Sequence, residues 1–405
     1  MAELKRSIRF PALVLYGTGT MVGAGFYALV GKVAASAGVL LPLALLVAAT
    51  VALFAVLSYS ELSKHYPMAG GAAVFAERGF NRRWVGSAVG WAVMLTGIVS
   101  AATLAHAFQN YLGVFVELPD WIVLLGFTLL LGALTAWGIE ESVNVAVTIT
   151  VLETVGLLVV AGLLLTLPQD LALPDTLLPG SDGDWLVIIP GVISGGFLAI
   201  YAFLGFEDMV NVAEEVQAPK KTMPRALLWS LGLTTGLYLL VSSIAVLAVP
   251  LETLVESEAP LADIVRAQGE GWRMFIGVAG LLAGVNGALV QFIMGSRILY
   301  GMADEGMAPR VFDKVNARTR TPIRSTIVVT VVIAVLAIGF PLETLARTTS
   351  FIVLFVFAAM HGAVLRLRLR AEGEWATGLP VWVPVTGLLI VAALLIFQVQ
   401  HFLAG

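Results

Sequence analysis

Residues 13–38 read LVLYGTGTMVGAGFYALVGKVAASAG, an apolar stretch of membrane-spanning length with four glycines from Gly17 to Gly25. Each glycine costs a helix interior about 1 kcal/mol relative to alanine. Such a cluster predicts either close packing, through the small-xxx-small spacing of Gly19 and Gly23, or a break in the helix. A second stretch tips the choice. Residues 188–216 read IIPGVISGGFLAIYAFLGFEDMVNVAEEV, with Gly195, Gly196 and Gly205, then Glu207 and Asp208 in apolar surroundings. The two stretches are spans 1 and 6, each opening a half of five spans. Interrupted helices at matching positions of two halves point to a ligand site built on inverted repeats.

The rest of the chain fits a membrane. Of 405 residues, 59% are hydrophobic and only 12% charged, where soluble domains carry about a quarter. Mean hydropathy is +0.94. A soluble multi-domain enzyme and a disordered chain are excluded. A net charge of −4 argues against a nucleic-acid partner. Cysteine is absent, so no disulfide framework or thiolate metal site is expected. A cleaved signal peptide is not expected either, because the first apolar run continues to spanning length without a small-residue cleavage site.

Apolar stretches fall at about 11–37, 40–62, 84–112, 121–139, 144–167, 186–212, 226–249, 272–302, 323–340, 345–365 and 380–403, roughly eleven spans in all. The reading is an all-α integral membrane protein with broken helices 1 and 6. It forms one transmembrane domain over 1–405: repeat one at 11–167, repeat two at 186–370, and a further helix at 380–403. Cations set the orientation. With the N-terminus in the cytoplasm, Lys5, Arg6, Arg9, Lys64, Arg78, Arg82, Arg83, Lys220, Lys221 and Arg225 lie inside. So do Arg310, Lys314, Arg318, Arg320, Arg324, Arg366, Arg368 and Arg370. The opposite loops are acidic, with Asp170, Asp175, Asp182 and Asp184 in one and Glu252, Glu256, Glu258 and Asp263 in another. Eleven spans leave the C-terminus outside, and the expected location is the cell membrane.

Unwinding a helix frees N–H and C=O groups that must line a cavity rather than face lipid. The amides of Gly23, Ala24 and Gly25, at the start of a second half-helix, would face an anion with a favourable dipole. Freed carbonyls of spans 1 and 6 would face a cation. An amino acid, carrying a carboxylate and an ammonium at fixed separation, satisfies both.

These stretches, together with YSELSKHYPMAGGAAVF at 59–75, AFLGFEDMVNVAEEVQAPKKTMPRAL at 202–227 and GSRILYGMADEGMAP at 295–309, resemble the amino acid–polyamine–organocation transporter superfamily over roughly residues 8–370. The resemblance implies a five-plus-five inverted repeat and alternating access. It implies that the substrate carboxylate meets the amides of Gly23, Ala24 and Gly25. The amine would meet carbonyls near Tyr16, Gly17, Met21, Ala202 and Phe203, with Gly205 at the second break. Tyr201 matches the position of an aromatic gate, and the alternative for it is simple packing. Most members have twelve helices and this chain reads as eleven, which leaves dimer contacts and oligomeric state undetermined.

Three carboxyl groups sit at membrane depth. A charge there costs on the order of 3 kcal/mol, so each is a candidate proton carrier, the alternative being a structural hydrogen bond or ion pair. Asp208 favours the structural role. Glu207 favours stabilising the unwound segment or gating. Glu153, in VTITVLETVGLL at 147–158, lies near where some family members place a lysine whose proton replaces sodium; a glutamate cannot copy that mechanism but can exchange a proton. In the family, helix 8 often supplies hydroxyl ligands for sodium. Here AGLLAGVNGALVQ at 279–291 has Asn286 but no Ser or Thr, so the proton is the expected coupling ion.

Other polar residues read as structural: His106 and His361 as packing or hydrogen-bonding groups, Lys32 as snorkelling or paired, Gln291 as packing or ligand. No HExxH, phosphate-binding loop or serine elbow is present, so neither an enzyme nor a cofactor is expected. The walls suggested by Met94, Thr96, Gly97, Ile98, Ser100, Val285 and Phe292 lack carboxylates, which favours a neutral substrate side chain. The alternatives are a polyamine or cationic amino acid carrier using Glu207 and Asp208, and a membrane sensor that binds ligand without flux.

Overall fold

The computed structural model describes residue 6 and residues 8–68, 71–138, 143–166, 185–304, 306–370 and 378–404. Lys5 and the acidic run from Asp170 to Asp184 lie outside the described residues. The first half holds helices α1 (Phe10–Met21), α2 (Ala24–Ala37), α3 (Leu41–His65), α4 (Gly71–Phe80), α5 (Arg83–Leu112), α6 (Asp120–Trp137) and α7 (Val143–Leu165). The second holds α8 (Trp185–Ala199), α9 (Pro219–Ala248), α10 (Leu251–Glu256), α11 (Pro260–Asp263), α12 (Glu270–Asp304), α13 (Ile323–Gly339), α14 (Leu342–Leu369) and α15 (Trp382–Ala404). Between α8 and α9 the chain forms two 3-10 helices, Ile200–Phe203 and Phe206–Glu215.

Every apolar stretch expected from the sequence carries helix. By length and composition, nine helical stretches among the described residues can cross a membrane. The difference from eleven has local causes. A one-turn 3-10 helix, Gly38–Leu40, runs α2 into α3 as one 42-residue stretch, α1 stops after 12 residues at the glycine cluster, and α13 is apolar but only 17 residues long. The segment after α3 is more than a connection, since α4 is a helix of its own that packs on α5 and α14.

Several hydroxyls inside the spans are satisfied within their own helices. The hydroxyls of Thr96, Thr103, Thr128, Thr330 and Thr349 each donate to the carbonyl four residues earlier, as a helix buried away from water requires. Large apolar side chains such as Val335 and Leu389 are exposed, and exposed Trp84, Trp137 and Trp382 lie at helix ends. This is a surface made for lipid.

The most extensive contacts join α5 to α12 and α3 to α9, with α6 packed along α13. Backbone hydrogen bonds from Ile8 N–H to the Glu215 carbonyl (3.0 Å) and from Gln217 N–H to the Ile8 carbonyl (2.9 Å) tie the chain before α1 to the end of the 206–215 helix. Helix α15 packs on α14 and α3. There the His361 ring, bonded through Nδ1 to Ser58 Oγ at 2.8 Å, lies against Gly387, where a side chain would collide with it. Lys32 pairs with Glu258 at 3.6 Å, and His106 bonds the Phe340 carbonyl at 3.0 Å.

Candidate functional site

Span 1 is broken at Val22 and Gly23. Helix α1 ends with the Val22 N–H on the Thr18 carbonyl (2.6 Å), Gly23 is extended (φ −145°, ψ −162°), and α2 starts at Ala24. The four glycines divide their work. Gly17 faces Met209 and Ser230, and Gly19 faces Thr150, at distances that admit no side chain, so these two are packing residues. Gly23 has open space where a Cβ would stand. Gly25 lies against Tyr201, whose ring is 3.2 Å from the place of its Cβ.

The amides at this break are unequal. Gly23 N–H already donates to the Met21 carbonyl at 2.9 Å. Ala24 and Gly25 hold the first-turn positions of α2, whose N–H groups have no partner within the helix, and no side chain caps this end. The positive end of α2 therefore opens beside the free side of Gly23.

Span 6 breaks at Leu204 and Gly205, with Gly205 at φ +122°, a conformation reserved for glycine. Its Cα sits beneath the backbone of Thr20, whose carbonyl oxygen would be 2.5 Å from an added Cβ. The Thr20 hydroxyl donates to the carbonyls of Gly17 (3.0 Å) and Gly205 (3.1 Å) and so ties the two breaks together. The Gly205 N–H donates to Glu207 Oε2 at 2.8 Å. The Glu207 carboxylate thus caps a backbone amide of the unwound segment. Asp208 is buried, and its backbone N–H donates to the Gly205 carbonyl at 3.1 Å.

A prediction follows from the cap. Glu207→Ala removes the acceptor of a buried N–H and should lower stability by about 1–3 kcal/mol, whereas Glu207→Gln keeps an acceptor oxygen and most of that stability. Thermal unfolding in detergent reads the difference; equal losses would remove the cap role.

Tyr201 is fixed by two contacts with α5: its hydroxyl bonds Ser100 Oγ at 3.0 Å and donates to the Ser100 carbonyl at 3.2 Å. With its ring on Gly25, it stands at the meeting of α2, α5 and span 6. Tyr16 is half-buried a turn before the break, and Ala202 and Phe203 are buried in the 3-10 turn.

Tyr238 of α9 is a residue of this junction that the sequence reading passes over. Its hydroxyl donates to the carbonyls of both Met21 (2.7 Å) and Ala202 (3.1 Å). The Met21 carbonyl therefore accepts two hydrogen bonds, from Gly23 and Tyr238. A carbonyl has two lone pairs, so among the carbonyls expected to meet an amine, that of Met21 is already filled. A signal was present on α9, where Ser230, Thr234 and Tyr238 recur every four residues in an otherwise apolar face.

Glu153 lies apart from the two breaks, buried on α7. Its backbone carbonyl accepts the Tyr27 hydroxyl at 2.7 Å, and its carboxyl is within electrostatic reach of Tyr27 and Tyr238. The structure thus brings Gly17, Met21, Gly25, Tyr201, Ala202, Gly205 and Glu207 together around the two breaks, with Gly23, Ala24 and Phe203 next to them in the chain; Tyr16 lies farther back in α1 and Glu153 on α7.

A family model described as amino acid permease matches residues 8–404. Human cationic amino acid transporter 4 is 30% identical over 391 residues, covering 91% of this chain and 60% of that protein. The branched-chain amino acid permease BcaP of Bacillus subtilis is 25% identical over 398 residues, covering 90% of this chain and 82% of its own length. The chain thus spans less than two thirds of the human relative. Among solved structures, a substrate-bound, outward-open Na+-coupled sialic acid symporter superposes with a TM-score of 0.61 at 15% identity, covering 94% of this chain and 88% of that one. At that identity the likeness is one of fold.

Proposed function

Because the chain belongs to the amino acid permease family, we propose that it carries amino acids across the cell membrane by alternating access, driven by protons. The observation that carries this reading is the junction of the two breaks. The amides of Ala24 and Gly25 open beside the empty side of Gly23, a seat for a carboxylate at a helix N-terminus. The carbonyls of Ala202 and Phe203, at the end of the 3-10 turn of span 6, are the proposed acceptors for the ammonium. Tyr201, spanning from Ser100 to Gly25, is placed to close over a ligand between them.

The pairing of α3 with α9, α5 with α12 and α6 with α13 supports a five-plus-five inverted repeat, since these are the second, third and fourth spans of each half. The cation distribution supports a cytoplasmic N-terminus, and α15, as an eleventh span, then ends outside. A neutral side chain is favoured, because the carboxylate of Glu207 is committed to Gly205 N–H. A cationic substrate is the second reading, supported by the names of the human and mouse relatives.

The test is thermal stabilisation of the purified protein by each of the common amino acids and by putrescine, since a ligand of the folded state stabilises it by RT ln(1 + [L]/Kd). Stabilisation by amino acids is expected, and a flat response to all of them would sink the reading. Uptake of the binding amino acid into proteoliposomes should follow an inward proton gradient and ignore sodium. Glu153→Gln should retain binding and lose the response to the gradient. A strict sodium requirement, or a Glu153→Gln protein that still follows the gradient, would overturn the coupling scheme.

A further inference from the structure

Residues 310–324, RVFDKVNARTRTPIR, join α12 to α13 and carry five cations, Arg310, Lys314, Arg318, Arg320 and Arg324, against one carboxylate, Asp313. All five are exposed, and none is in an ion pair with a described residue. Cations on an inner connection are the usual mark of orientation, and on a loose loop they would mean no more. Here the backbone is fixed. Asn316 Oδ1 accepts the N–H groups of Arg318 (2.9 Å) and Thr319 (3.1 Å), and the Arg320 N–H returns to the Asn316 carbonyl at 2.9 Å. The turn is pinned to the end of α6. Thr321 Oγ donates to the Ala136 carbonyl at 2.7 Å, and the Thr319 carbonyl lies against Gly138, 2.9 Å from where a Cβ would stand.

Arg318 and Arg320 therefore flank a held residue, next to the end of α6 from which Trp137 projects 78% exposed. Arg324 lies in the first turn of α13. From it Ile327, Val331 and Val335 follow at three- and four-residue spacing, 55%, 54% and 62% exposed. That spacing puts them on one face of the helix. A cluster of free cations thus sits at the foot of an apolar stripe, with an amphipathic ring at the boundary between them.

We propose that this corner of α6 and α13 binds one anionic phospholipid, in the leaflet that the cation distribution places inside. The guanidinium groups of Arg318 and Arg320 take the phosphate, for which their planar donor forks are suited. Trp137 stands at the level of the glycerol, where tryptophan is favoured in membranes. An acyl chain lies along Ile327, Val331 and Val335. A soluble phosphate would use only the charged half of this surface, so the occupant is the lipid.

The experiment titrates the purified full-length protein in detergent with dioleoylphosphatidylglycerol and, separately, dioleoylphosphatidylcholine, counting bound lipid by native mass spectrometry. One phosphatidylglycerol is expected to be retained, with an affinity about tenfold or more above that for phosphatidylcholine. Arg318→Gln with Arg320→Gln should abolish that preference. Lys220→Gln with Lys221→Gln removes the same charge from another exposed stretch of the inner face and should preserve it. Trp137→Ala should weaken retention of both lipids, and it carries the test should the double arginine variant not fold. An excess of glycerol 1-phosphate should not displace the lipid. Equal affinity for the two lipids would overturn the proposal. Equal losses in the two double variants would do so as well, since the cause would then be the general field of the inner face. Displacement by glycerol 1-phosphate would leave a plain anion site in its place. None of these outcomes bears on amino acid transport, which the proposal does not require.

Discussion

Gly23→Ala is expected to leave the fold intact and to remove amino acid uptake. The usual reasons for a glycine do not apply at this position. Its backbone is extended at φ −145°, which alanine adopts freely, and among the described residues no atom beyond its chain neighbours lies within 4 Å of the place its Cβ would occupy. On protein sterics alone the substitution is neutral, or stabilising by about 0.4–1 kcal/mol through the unfolded chain. The open side of Gly23 faces the seat proposed for the carboxylate, where a methyl group would push the ligand off the Ala24 and Gly25 amides. Hydrogen bonds to a charged group contribute about 1.5–3 kcal/mol each. Losing two of them should weaken binding by roughly 100-fold or more, at 1.4 kcal/mol per tenfold. An unchanged or raised Tm together with abolished uptake is the expected pair of results. Unimpaired uptake would place the ligand elsewhere.

Gly205→Ala should do the reverse and fail at folding. The φ of +122° strains any residue with a Cβ, at about 1–3 kcal/mol. The new methyl would also meet the Thr20 backbone, its carbonyl oxygen at 2.5 Å and carbonyl carbon at 2.6 Å. Backbone cannot rotate aside as a side chain can, so overpacking adds a further cost of about 1–3 kcal/mol. Thr20 would lose its bond to the Gly205 carbonyl as the two breaks part. Size-exclusion profiles and Tm in detergent report the outcome; a well-behaved variant of wild-type Tm would show that the segment is free to rearrange. The two glycines share a sequence signature and differ in surroundings: Gly205 accommodates the Thr20 backbone, and Gly23 borders open space.

That contrast marks how far the sequence can be read. The glycine cluster of span 1 and Gly205 of span 6 were legible as breaks, because glycine at membrane depth has few other uses. Which glycine does what was not. The answer for Gly19 lies with Thr150 and for Gly17 with Met209, partners more than a hundred residues away that no local pattern announces. The Glu207 cap follows from proximity, since it is two residues from the N–H it accepts. Tyr238 is passed over for the opposite reason, its four-residue spacing with Ser230 and Thr234 being the one local signal. A tyrosine in an apolar span is ordinary, and its importance comes from two carbonyls that only the folded chain brings to its hydroxyl. The filled lone pairs of Met21 and the engaged amide of Gly23 are likewise properties of the assembled junction.

The inner part of span 6 has a consequence of plain length. Phe206–Glu215 is a 3-10 helix of ten residues. At a rise of about 2.0 Å per residue it reaches about 20 Å, where an α-helix of the same ten residues would reach about 15 Å. A short segment therefore covers the depth of about thirteen α-helical residues. This extra reach lets span 6 deliver its end to Ile8 without a longer sequence.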